Sequence, residues 1–240
     1  MPAQSIHAFA EKVALITDGA NPIGRAVALQ LALQGCYVIV GFSGVSGTDS
    51  DALGELRNLG TLAAAVEADL TTTEGAAKLV GEVEKMFGRL DLLVNCLKYE
   101  NDSSFIETTE DIYERTLGAN LKAAFFVTQN AIRLMNARPK PKIVNVASAL
   151  DTPESQTNIV YAASQRALVG LTESLAASLP EKFRVNGVAV SEKKATRESG
   201  LDAELFRPKI GISEDDAART IVYLLSSEAI SINGQTLKIE

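Results

Sequence analysis

The sequence predicts an α/β fold: a doubly wound parallel sheet of about seven strands with helices on both faces. Two observations predict it. Short apolar runs alternate along the chain with helix-patterned stretches of ten or more residues, and strands so separated pair in parallel through right-handed crossovers. The 240 residues are 46% hydrophobic and 22% charged, enough apolar material for a single large core and too much for a disordered chain.

The elements follow in order. Lys12–Thr17 is a short apolar run with turn residues behind it, a buried parallel strand by length and type. Asp18-Gly-Ala-Asn-Pro-Ile-Gly24 leads into an Ala/Leu-patterned helix, Arg25–Gln34, ended by Gly35. Cys36–Phe42 is the second strand, and Ser43–Ser50 a Gly- and Ser-rich loop. Asp51–Leu59 reads as a short helix and Thr61–Ala68 as the third strand. Thr71-x-x-Glu74 has the form of a capping box for a helix running to Phe87. Gly88–Asn95 supplies a turn and the fourth strand. Glu110–Asn136 reads as one long helix, stopped ahead of Pro139 and Pro141. Ile143–Ala147, Arg184–Val190 and Gln235–Ile239 complete the strands, with helices at Tyr161–Leu179 and from a Ser213-x-x-Asp216 cap to Ser227. Residues 1–240 are expected to form one domain, with Ser191–Ile212 a charged, irregular insertion in which Leu201–Phe206 offers one helical turn.

Net charge is −7 and the isoelectric point about 5.0, which argues against nucleic acid or an anionic membrane as partner. His7 is the only histidine, which removes most histidine-based triads and metal sites. Cys36 and Cys96 lie in or at the end of apolar runs and are expected to be buried free thiols. No apolar stretch approaches the ~18 residues of a membrane span, and Met1–Lys12 lacks the apolar core of a signal peptide. The expected location is cytoplasmic.

Ser148 and Tyr161 stand thirteen positions apart, the first at the end of an apolar run and the second in a small-residue helix. With Asn120 in Ala-Asn-Leu-Lys-Ala-Ala-Phe-Phe, Asp69-Leu70, Arg184-Val-Asn-Gly-Val-Ala189 and Asn233-Gly-Gln-Thr-Leu237, this spacing resembles the short-chain dehydrogenase/reductase family over essentially the whole chain. The likeness is greatest to its 3-oxoacyl-carrier-protein reductases. The resemblance implies a Rossmann-like fold and an NAD- or NADP-dependent oxidoreductase. It implies a proton donor in Tyr161, a carbonyl-binding hydroxyl in Ser148, a water-holding asparagine in Asn120, and Gln165 where the family carries its active-site lysine. Thr17, Asn21, Ile23, Gly24, Asp69 and Asn95 fall at its cofactor-binding positions.

The departures from the family pattern concentrate on the chemistry. The three glycines of the first loop read Asp18, Pro22 and Gly24. Proline has no N–H and a fixed φ, and a carboxylate at 18 could occupy the place of a phosphate at a helix N-terminus. Gly19 could restore the turn by a shift of one residue. The second loop reads Asn95-Cys-Leu-Lys98. Lys98 is either a replacement cation for a ribose or phosphate or a surface lysine lying along a closed cleft. Val190-Ser191 stands where the family has Pro-Gly, and Gly41-Phe-Ser-Gly44 gives nothing that chooses between NAD and NADP. Gln165 carries no charge with which to lower the pKa of a tyrosine. Arg166, ~100° round the helix, is a poor substitute.

Together these departures favour a family member with impaired catalysis and no tightly bound cofactor, serving as a structural or regulatory subunit. The alternatives are an NAD(P)H-dependent reductase of a ketone or 3-oxoacyl thioester, or a small-molecule binder. The alanines of Glu110–Asn136 and Tyr161–Leu179 allow close helix approach. The resemblance adds a homodimer or homotetramer, with an active paralogue as a further candidate partner.

Overall fold

The computed structural model describes residues 8–42, 54–150, 158–191 and 213–239. Seven parallel strands form one sheet in the order β3-β2-β1-β4-β5-β6-β7. They are β1 (Val13–Thr17), β2 (Tyr37–Phe42), β3 (Ala63–Glu67), β4 (Leu92–Asn95), β5 (Lys142–Ser148), β6 (Arg184–Val190) and β7 (Thr236–Ile239). The longer helices are α1 (Pro22–Leu33), α2 (Thr73–Phe87), α3 (Glu110–Leu117), α4 (Ala123–Asn136), α5 (Ile159–Ser178) and α6 (Glu214–Leu225), and residues 54–58 are helical within the short helix expected over Asp51–Leu59. The strand order reverses between β1 and β4, where a doubly wound sheet opens a crevice at the carboxyl ends of its strands.

Alternation along β1 shows how the sheet buries both faces. Ala14 and Ile16 enter a core with Val27 and Leu31 of α1 and Ile221 and Leu225 of α6. Val13 and Leu15 enter a second core with Leu79 and Val83 of α2 and Val127 and Ala131 of α4. The period-2 alternation of side chains thus separates two helical layers. Cys36 and Cys96 are buried free thiols. Burial and the nearby Asp91 push the Cys36 pKa up to about 12.

Helix α1 starts at Pro22, ahead of the expected Arg25, β3 is shorter than expected, and three further differences have a local cause. The N-cap of α2 is Thr72, not Thr71, and its hydroxyl accepts from the Gly75 N–H. Thr71 is instead held by Asp69, whose Oδ1 accepts from both its N–H and its hydroxyl, and glycine at the third helical position has no side chain to complete a capping box. The long helix predicted over Glu110–Asn136 is interrupted by a π-helical turn, Gly118–Lys122, between α3 and α4. Helix α5 begins at Ile159, because Asn158 caps it by accepting from the Tyr161 N–H at 3.0 Å. The capping box at Ser213 and Asp216 is formed as expected. The expectations for His7, Ser43–Ser50, Asp51–Leu53 and Glu192–Ile212, including the turn at Leu201–Phe206, lie outside the described residues.

The amino ends of the strands carry a buried charge cluster. Asp91 accepts from the Val13 N–H, from Arg89 and from Arg138. Burial opposes its ionisation, but these hydrogen bonds prevail and hold the carboxyl below its ordinary range. Lys142, at the start of β5, is buried with its ammonium donating to the Ser226 carbonyl. Burial, and then Lys12, Arg184 and Lys140, lower its pKa from 10.5 to about 8. The unfolded chain therefore holds this proton more tightly, and the contribution of Lys142 to stability rises as pH climbs from about 8 towards 10.5. In urea unfolding, the stability of the native chain relative to Lys142→Met rises across that interval, because only the native chain carries the titrating amine.

Candidate active site

The carboxyl ends of β1, β4 and β5 converge on the residues the sequence singles out. The Ser148 hydroxyl, at the end of β5, lies 2.5 Å from the Tyr161 hydroxyl on the first turn of α5. Gln165, one turn further on, directs its carboxamide oxygen to the Ser148 N–H at 2.9 Å and its amide towards Ser164 Oγ at 3.5 Å. It fixes the backbone beneath the serine.

Asn120 sits in the π turn and is buried. Its carboxamide accepts from the Tyr99 N–H at 2.7 Å and donates to the Tyr99 carbonyl and to Ser164 Oγ, each at 2.9 Å. The π turn inserts one residue into the helical repeat, a local distortion frequent at functional sites, and it aims Asn120 at the segment after β4. Ser164, which ties Asn120 to α5 and donates to the Tyr161 carbonyl, was not singled out from the sequence, and nor was Asn158. For Asn158 a signal existed, an asparagine three residues ahead of Tyr161 at a helix start. A serine inside a helix gives none.

The first loop keeps its path while changing its donors. Asp18 adopts φ 56°, the left-handed conformation that a glycine would take there at lower cost. The turn is therefore not shifted to Gly19. Gly19 instead packs on Val40, where an added Cβ would stand 2.5 Å from Val40 Cβ. At Gly24 a Cβ would meet the Asp18 carbonyl oxygen at 2.4 Å and Cys96 Sγ at 3.0 Å. Close approach of loop and helix, the requirement a dinucleotide places on this turn, is met. Among the N–H groups of the first helical turn, Pro22 has none, Ile23 donates to Asn21 Oδ1, and Arg25 donates to the Asn21 carbonyl. Gly24 contributes the remaining N–H of that turn. The loop fits a nucleotide in shape, with a thinner set of donors than a three-glycine loop presents.

The other cofactor-position residues divide. Asp69 is exposed at the end of β3 with its carboxylate on Thr71. The Thr17 hydroxyl accepts from the N–H groups of Cys96 and Leu97 and clamps β1 to the end of β4. Asn95 is turned inward, donating to Thr128 Oγ1 and Asn145 Oδ1, and Asn145 donates in turn to Thr172. The Thr17 and Asn95 side chains thus position the ends of the strands. Burial, and then Asp18, hold the Cys96 thiol well above its ordinary pKa, so it packs as a neutral group.

The Lys98 ammonium lies over the Tyr161 ring, 5.5 Å from the centroid, and 3.2 Å from a Glu100 carboxylate oxygen. Arg166 is exposed. Leu150, two residues past Ser148, holds φ 54° and packs against Tyr161 and Ala162. The site thus has two non-glycine residues in a strained backbone region, Asp18 and Leu150, a pattern that clusters at functional sites.

A parallel sheet with its crevice at a strand-order reversal, a tight first loop and a paired serine and tyrosine define a dinucleotide-binding oxidoreductase fold. The sequence profile of the short chain dehydrogenase family matches residues 12–200, and the chain belongs to that family. It is 29% identical over 236 residues to the 3-oxoacyl-[acyl-carrier-protein] reductase FabG of Staphylococcus aureus, covering 95% of this chain and 96% of that protein. The FabG of Aquifex aeolicus is 30% identical over 238 residues, with 95% of each chain covered. Among solved structures, a short-chain dehydrogenase/reductase from Serratia marcescens superimposes with a TM-score of 0.86 at 26% identity, over 97% of this chain and 98% of that one.

Proposed function

We propose that the chain is an NAD(P)H-dependent oxidoreductase that reduces a ketone or a 3-oxoacyl thioester. The observation that carries this reading is the 2.5 Å contact between the Ser148 and Tyr161 hydroxyls at the carboxyl end of β5. The names of the FabG relatives support the substrate class. A bound nicotinamide dinucleotide would supply the hydride, and the Gly24 N–H, the Asn21 side chain and Asp69 would hold it. The Ser148 hydroxyl donates to the carbonyl oxygen and orients it. As charge develops on that oxygen, Tyr161 delivers its proton, and the carbonyl becomes an alcohol. Gln165 keeps the Ser148 backbone still and leaves the Ser148 hydroxyl to the substrate. Tyr161 is only 1% exposed, so substrate entry requires displacement of its cover.

A second reading, a catalytically impaired structural or regulatory subunit without tightly bound cofactor, is favoured by the uncharged Gln165 and by the carboxylate and proline in the first loop. Either reading accommodates a cytoplasmic homo-oligomer. The exposed apolar side chains Tyr113 and Ile159 on α3 and α5, which line a groove of about 560 Å³ together with Phe105, Leu117 and Val160, support association through that face. No helix among the described residues is long and apolar enough to cross a membrane.

Thermal unfolding with millimolar NADPH, NADP, NADH or NAD separates the two readings. A nucleotide at about 100 times its dissociation constant adds ~2.7 kcal/mol, a rise of roughly 5–10 °C for a chain of this size. The reductase reading expects that rise with at least one nucleotide. No rise with any of the four leaves the subunit reading.

A further inference from the structure

We propose that Lys98 is the positioning cation of Tyr161, reaching the tyrosine from the segment after β4 instead of from the next turn of α5. The inference deepens the reductase reading and rests on it for its catalytic meaning. A tyrosine that gives up a proton needs a positive charge nearby to hold its pKa down, and the helix position one turn beyond Tyr161 carries the neutral Gln165. That carboxamide is uncharged and is committed to the Ser148 N–H and to Ser164.

Lys98 stands where the missing charge is needed. Its ammonium lies 5.5 Å from the Tyr161 ring centroid, at a side chain only 1% exposed, where solvent screens the interaction less than at the surface. A cation over an aromatic face is attracted to the neutral ring and more strongly to the ionised one. It therefore favours release of the phenolic proton while holding the ring in register with Ser148. Among the described residues, the other groups around Tyr161 do not supply this charge. Ser148, Leu150, Asn120 and Ser164 are uncharged, and Arg166 is exposed on α5. Glu100, paired to Lys98 at 3.2 Å, tempers the charge and fixes the direction of the lysine.

The test is a pH titration of Tyr161 in the purified chain without added nucleotide. The probe is tyrosine labelled with carbon-13 at Cζ, with the Tyr161 signal identified by its absence in Tyr161→Phe. Lys98→Met moves the Tyr161 midpoint to higher pH, and Lys98→Arg keeps it near the native value. Glu100→Gln, a change at a half-buried surface pair, moves it the opposite way, because an opposing charge is removed. This second arm remains readable if Lys98→Met does not fold. Where a ketone is turned over, kcat/KM in Lys98→Met falls by about tenfold, its basic limb moves to higher pH, and Gln165→Lys in that background restores activity. A Tyr161 midpoint unmoved by Lys98→Met, or by Glu100→Gln should the former not fold, overturns the proposal. Failure to reduce any ketone sinks the reductase reading instead and leaves the titration interpretable.

Discussion

Tyr161→Phe leaves the fold in place and removes turnover. The substitution deletes one oxygen, the one that meets Ser148 Oγ at 2.5 Å, and leaves the ring against Leu150, Ala162 and Lys98. Loss of a positioned proton donor costs on the order of 10²–10⁴ in rate, whereas loss of one hydrogen bond costs about 1 kcal/mol in stability. Ketone-dependent oxidation of NADPH should drop to background while the nucleotide-induced rise in Tm survives. A variant that reduces the same ketone at the native rate would remove Tyr161 from the mechanism.

Gly24→Ala has the opposite signature, with a large structural effect and loss of nucleotide binding as its consequence. The new methyl group would stand 2.4 Å from a backbone oxygen, that of Asp18, and 3.0 Å from the buried Cys96 sulfur, and neither is the tip of a flexible side chain. Overpacking of this kind costs roughly 1–3 kcal/mol, and relief requires the first loop to part from α1. The expectation is a chain with a lowered urea midpoint whose Tm no longer responds to nucleotide. Gly81→Ala is the matched control: nothing lies within 4 Å of the added Cβ, so the same chemical change within α2 raises stability by about 0.5–1 kcal/mol. Equal behaviour of the two variants would show that the loop yields without cost.

Most of the fold was legible because it depends on composition averaged over whole elements. The run Arg184–Val190 is a strand at the residues expected, β1 and β2 start one residue later than expected, and β5 is longer by one residue at each end, since buried parallel strands announce themselves as continuous apolar stretches. The elements that departed are those ruled by one side chain. Asp69 captures Thr71 and passes the cap of α2 to Thr72; Asn120 accompanies a π turn in a stretch whose helical period is otherwise unbroken. The site residues were legible as positions but not as contacts. Ser148 and Tyr161 meet as their spacing implied, while the Asn95 side chain turns into the interior and Lys98 crosses to the tyrosine. Pairings between residues far apart in the chain depend on strand order, which periodicity does not encode.

The left-handed backbone at Asp18 bears on how far this chain stands from a fully glycine-lined loop. A residue that normally disfavours φ 56° already occupies that conformation, held between β1 and α1. Asp18→Gly therefore demands no rebuilding of the turn: it removes a carboxylate, relaxes a strained residue and keeps the route of the chain. The first loop already follows a backbone that a glycine could take at position 18, so its departure from a three-glycine loop lies in the side chain of Asp18 and the missing N–H of Pro22.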